Sequence, residues 1–135
     1  MLHRYDTYSV SINRKPTEVY NFIADLKNWP LFSDFAKHLE FTDGQWIAHT
    51  EQGDIEIIPH FNKELLLLDS TCIVASGEEQ FIPYRVVKNG EGSELIMTNY
   101  QGKTSSNVDY RQQLRWMKDE LENVKKLLEN DSFKA

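Results

Sequence analysis

The chain is 135 residues long, 40% hydrophobic and 27% charged, with a formal charge of −6. That length supports one sizeable core and not two, so a single domain over residues 1–135 is expected. The acidic balance excludes the basic face a general nucleic-acid binder needs, and it disfavours attraction to anionic lipid.

Residues 4–12, "RYDTYSVSI", alternate as a strand with Tyr8, Val10 and Ile12 on one face. Pro16 sits where a first helical turn tolerates proline, and Val19, Phe22, Ile23 and Leu26 follow at i, i+3, i+4, i+7. In "NWPLFSDF", residues 28–35, Asn28 reads as an N-cap and Pro30 as an early helical position, which predicts a second short helix. Asp43-Gly44 within "TDGQ" is the signature of a two-residue hairpin turn. It sets Thr42 opposite Gln45, Phe41 opposite Trp46 and Leu39 opposite Ala48. A further turn around Gln52-Gly53 predicts Thr50 opposite Ile55 and Ala48 opposite Ile57. Leu39, Phe41, Trp46, Ala48, Ile55 and Ile57 then share the core face.

"ELLLLDSTCIVA", residues 64–75, predicts one long strand, and "QFIPYRVV" and "ELIMTNYQ" two more around the turn "KNGEGS". Pro83 points to an edge position or a bulge. Seven strands are expected in all. The chain closes with a helix over 106–129, on the order of 35 Å long, opened by a capping box of Ser106 and Asp109. Tyr110, Leu114, Met117, Leu121, Val124 and Leu128 form its apolar seam, and 130–135 are expected to fray.

Strand, two short helices, six strands and a long C-terminal helix is the order of the helix-grip fold. The stretches "SINRKPTEVYNFIADLKNWPLF", "WIAHTEQGDIEI", "LLLLDSTCIV" and "YRVVKNGEGSELIMTNYQG" extend the likeness along nearly the whole chain. The sequence resembles the START-like (SRPBCC) superfamily, which includes birch-pollen-allergen-like proteins, lipid-transfer domains and polyketide cyclases. Among these it resembles small bacterial proteins of the polyketide cyclase/dehydrase type. The resemblance implies an α+β fold in which a curved antiparallel sheet of seven strands grips the C-terminal helix around an internal cavity. The aromatics of "NWPLFSDF" then either pack or gate the cavity mouth, where Phe32 or Phe35 borders the entrance.

Trp46, Ile57, Met97, Tyr110, Leu114 and Met117 are the residues expected to line that cavity, or else to fill the core and leave no pocket. Asp69, beside four leucines, needs a partner if buried, and Arg85 is the candidate. A two-residue hairpin loop would set Asp69 opposite Glu56; a three-residue loop would turn it to the concave face. The pair is either a structural tie or a means of offering Arg85 to a ligand carboxylate or enolate. His38, His49 and Glu56 fall in one row on the convex face, but the row is about 10 Å wide, too wide for a good metal site. Ile47 and Ile58, side by side on the same face, are the sole support for a protein-docking patch.

Cys72, the single cysteine, leaves no internal disulfide and reads as a small buried hydrophobe in a reducing, cytoplasmic setting. No apolar run reaches the roughly 20 residues of a membrane helix, and the first residues read as no signal peptide. The expected function is uptake of a small hydrophobic or amphipathic, lipid- or polyketide-like ligand by a monomer or homodimer. Arg85, Asn99 or Tyr110 would orient the ligand. No cofactor, metal, nucleic acid or membrane is called for. The alternatives are a cyclase/aromatase-like enzyme, with Arg85 stabilising an enolate and Tyr110 or Asp69 moving a proton, and a cochaperone-like interaction domain.

Overall fold

The computed structural model describes residues 2–130. The element order is β1 (Tyr5–Ile12), α1 (Pro16–Ala24), a 3₁₀ helix (Leu26–Leu31), β2 (Leu39–Thr42), β3 (Gln45–Thr50), β4 (Gly53–Pro59), β5 (Ser70–Ile73), β6 (Glu79–Ile82), β7 (Tyr84–Asn89), β8 (Gly92–Tyr100) and α2 (Asn107–Glu129). The strands form an antiparallel set of three, in the order β1-β8-β7, and one of five, β2-β3-β4-β5-β6. α2 packs against β1 and β8.

There are eight strands among the described residues, not the expected seven, and Pro83 is the reason. Lacking an N–H, it cannot continue a ladder, so "QFIPYRVV" divides there. β6 before it is an edge strand of the larger sheet, and β7 after it an edge strand of the smaller one. The proline is the step by which the chain changes sheets.

The Asp43-Gly44 hairpin has the expected register, with Leu39, Phe41 and Thr42 opposite Ala48, Trp46 and Gln45. Both turn residues have positive φ, 52° and 77°, the conformation this turn requires and glycine adopts without strain. The next hairpin is two residues tighter than predicted. Thr50 pairs with Gly53, Ala48 with Ile55 and Trp46 with Ile57. The shift is even, so every side chain keeps its predicted face.

The long strand expected over 64–75 is not formed. Only Ser70–Ile73 is strand. Leu66 takes a left-handed φ of 55°, Leu65 is exposed, and Asn62 and Leu67 bond each other across a tight loop. Because this connection spans ten residues, Glu56 pairs with Ile73 and neither predicted position of Asp69 applies.

The second short helix is a 3₁₀ turn that begins earlier than predicted. Asp25 caps it by accepting from the Lys27 N–H at 3.1 Å, while Asn28 donates its side chain to the Phe22 carbonyl at 2.9 Å. Trp29 is buried and donates Nε1 to the Ile23 carbonyl at 2.7 Å. That bond fastens the turn to the end of α1. Phe32 packs between Phe22 and Trp29, with ring centroids 5.5 and 6.5 Å away.

Ser106 caps α2 by accepting from the Asp109 N–H at 3.1 Å, as the capping box predicts. Its buried face holds Tyr110, Met117, Leu121, Val124 and Leu128, and also Glu120. No helix among the described residues is long and apolar enough to cross a membrane.

Candidate functional site

Strict alternation on β8 sends Ser93, Leu95, Met97 and Asn99 inward. The same alternation buries Ser70 and Cys72 on β5, and Tyr84 and Val86 on β7. Between this concave face and α2 lies a cavity of about 80 Å³. Its sheet wall is Ile55, Ser70, Cys72, Val74, Gln80, Ile82, Tyr84, Met97 and Asn99. Its helix wall is Gln113, Trp116, Met117 and Glu120, and Trp29 and Phe35 close it beside them. Trp29, Phe35 and Trp116 form a contiguous aromatic row, with centroids 6.4 and 6.2 Å apart.

Glu120 is the chemically distinctive member. It is 2% exposed, and among the described residues no cationic side chain shares the cavity wall with it. Burial pushes its carboxyl up from 4.5 to about 7, outweighing the neighbouring Ser33 and Tyr84 hydroxyls, which pull the other way. Those hydroxyls lie near it without reaching bonding geometry: Ser33 Oγ, Tyr84 Oη and Glu120 Oε2 all lack a hydrogen-bond partner. Asn99 Nδ2 and Gln113 Oε1 are likewise buried and unpartnered. Burial, reinforced by the Glu120 charge, raises the Tyr84 phenol well above its ordinary value. Cys72 is pushed up to about 12 by burial, which leaves it a thiol with no nucleophilic character near neutral pH.

Of the residues the sequence suggested as ligand contacts, Met97, Asn99 and Met117 are on the cavity wall. Phe32 lies behind it, packed on Trp29, while Phe35 is the aromatic that reaches it. Trp46 is half-buried against Phe41, centroids 4.8 Å apart, and Ile57 is buried in the core without lining the cavity. Leu114 packs on the core edge. Tyr110 is buried with its hydroxyl 3.0 Å from both Asp6 Oδ2 and the Asn99 carbonyl, tying α2 to β1 and β8. Its phenol is raised above the ordinary value by burial and by Asp6.

Asp69 and Arg85 pair, but outside the cavity. The Arg85 side chain is 51% exposed and reaches Asp69 Oδ2 at 3.2 Å, whereas the Asp69 side chain is 8% exposed. Along β7 the inward positions are Tyr84 and Val86, so Arg85 between them points outward. The expectation that it faces an internal ligand is corrected by this parity.

The convex row also differs. His49 stands opposite Asp54, and its two ring nitrogens lie 2.7 Å from Asp54 and 2.7 Å from Glu40. Glu56 stands opposite Ile47 and takes a bond from Gln45. Ile47 and Ile58 are therefore diagonal, not opposite, with Glu56 interrupting the patch. Among the described residues, no group of three His, Cys, Asp or Glu is arranged to hold a metal ion.

Glu120 and Tyr84 were missed from the sequence. Glu120 sits three residues after Met117 and four before Val124, both seam positions, and that spacing is the signal that marks it as buried.

No protein-family model matches the sequence, and no curated protein matches it. Solved structures do resemble it. XoxI from Bacillus cereus is similar with a TM-score of 0.72 and 13% identity, over 93% of this chain and 94% of that one. Ara h 8.0201 is similar with a TM-score of 0.63 and 9% identity, over 91% and 95%. BexL, a di-domain ARO/CYC from the BE-7585A biosynthetic pathway, gives 0.70 and 13% identity, over 94% of this chain and 48% of BexL. At such identities the likeness is one of architecture, and the architecture is plain: this chain has the helix-grip fold.

Proposed function

We propose that the protein binds a small, largely apolar molecule in the cavity between the curved sheet and α2. The observation that carries this reading is where the unpartnered polar atoms lie. Among the described residues, five buried side-chain atoms lack a hydrogen-bond partner, and four belong to cavity-lining residues: Asn99 Nδ2 and Gln113 Oε1, and Tyr84 Oη and Glu120 Oε2, which lie close enough to influence each other's protonation. A core evolved only for stability would pair such groups or replace them, since each costs about 1–3 kcal/mol when left bare. Convergent polar groups in an otherwise apolar pocket are what a ligand site needs. A volume of about 80 Å³ is far below a folded polyketide or a lipid chain and about half that of a cavity known to take benzene, so a ring enters only if the flexible Met97 and Met117 side chains give way. A buried single thiol fits a reducing compartment, and the cytoplasm is the compartment we propose.

The cyclase-like alternative rests on one observation, a carboxyl raised to about 7 within the cavity, the range suited to general acid–base work. Glu120 and Tyr84 would carry it, in place of Arg85, Asp69 and Tyr110.

The test is titration with 2-phenylethanol, followed by tryptophan emission in a Trp46→Phe background that leaves Trp29 and Trp116 as reporters. Burying a phenyl ring of roughly 150 Å² gains at most about 4 kcal/mol before the cost of association, so saturation at about a millimolar or above is expected. Cys72→Phe, which fills the cavity, should abolish the response. Equal binding by that variant would remove the cavity from the account.

A further inference from the structure

Building on the cavity reading above, we propose that the natural ligand is a lipophilic amine, held by its ammonium group against the Glu120 carboxylate. The charge inventory of the wall points this way. Among the described residues, Glu120 is its only carboxyl, and no lysine, arginine or histidine lines it. The titratable groups that face Glu120 are Tyr84 from β7 and Cys72 from β5, both neutral acids near neutral pH. Ser33, ahead of β2, adds a hydroxyl.

An anionic ligand would meet this carboxylate with no cation to offset it. A neutral ligand leaves the buried charge uncompensated once Glu120 ionises. A protonated amine removes both costs. Its N–H groups are donors only, and the cavity's unpartnered atoms Glu120 Oε2, Tyr84 Oη and Gln113 Oε1 are all able to accept. The aromatic row of Trp29, Phe35 and Trp116 supplies π faces that attract a cation and an apolar body to stack on. Asn99 Nδ2 is a donor and takes no part in holding the ammonium.

The experiment uses three probes with one ring and one chain length: 2-phenylethylamine, 2-phenylethanol and phenylacetate. At about pH 8.5 Glu120 is ionised and the amine is still protonated. The amine should bind wild-type protein about tenfold to a hundredfold more tightly than the alcohol, as a charge-assisted pair requires. Phenylacetate should bind least. Glu120→Gln keeps the shape of the side chain and removes its charge, so within that variant the amine should lose its advantage, read as the ratio of the amine and alcohol dissociation constants. Because the Glu120 carboxyl is pushed up to about 7, the wild-type amine preference should also fade as the pH drops below that value. An amine preference that survives in Glu120→Gln overturns the inference. So does an alcohol that binds wild type as well as the amine, although the cavity reading then stands. If no probe binds, the cavity reading fails and the inference with it.

Discussion

Asp69 Oδ1 accepts the backbone N–H of Tyr84 at 2.8 Å, in a buried setting. The carboxylate thereby fastens the first residue of β7, whose phenol lines the cavity, just after Pro83 has broken the ladder. Arg85 caps the same carboxylate from the solvent side, with Nε at 3.5 Å and Nη2 at 3.2 Å. The two partners are therefore unequal. Asp69→Ala should cost about 2–3 kcal/mol, because it leaves a buried N–H bare. Arg85→Met should cost less than about 1 kcal/mol, since half of the arginine side chain is already in water. Urea unfolding of the two variants checks the order, and a larger loss at Arg85 would reverse the assignment.

The buried Glu120 gives stability an unusual pH dependence. Its carboxyl rises from 4.5 to about 7 on folding. Between those values the unfolded chain has released the proton and the folded chain keeps it. Stability therefore falls as pH rises through this window and is level above it. The loss is about 3 kcal/mol, and Glu120→Gln should not show it. Glu78, Glu94 and Glu129 are shifted down and act with the opposite sign, so the difference between wild type and variant isolates Glu120. Denaturant melts at a series of pH values measure it; parallel curves would contradict the buried carboxyl.

On the convex face, His49 is raised above 6.5, first by its bond to Asp54 and then by its bond to Glu40. The pairing contributes fully below the ordinary imidazole value and is lost as pH rises through the raised one. NMR titration of the imidazole should give a midpoint above 6.5. Asp54→Asn should lower it more than Glu40→Gln. Zinc added at neutral pH should neither shift this midpoint nor bind in stoichiometric amount, because both ring nitrogens are already engaged.

These residues also mark how far the sequence could be read. The Asp43-Gly44 dipeptide encodes its own φ values, so the β2–β3 register was legible from it. The seam of α2 was legible because one apolar stripe repeats along it. Asp69 and Arg85 were recognised as partners, but their side of the sheet depended on a ten-residue connection in which Leu66 turns left-handed. No local pattern fixes such a loop. Glu120 was hidden for a different reason. It shares the three-and-four spacing of Met117 and Val124, but a charged residue at such a position reads as solvent-facing until the curved sheet is in place to cover it. The cavity contacts follow from the same curvature, which brings Tyr84 and Glu120 to one space from distant parts of the chain.

The central claim is an occupied cavity, which Met97 lines from β8 and Met117 from α2. With methionine methyl groups labelled with ¹³C, addition of 2-phenylethanol should shift both resonances along one saturable curve, with a midpoint at about a millimolar or above. Cys72→Phe should leave both unmoved by the alcohol. If the two methyls stay fixed in wild type while surface resonances shift without saturating, the cavity is closed core and the binding account is wrong.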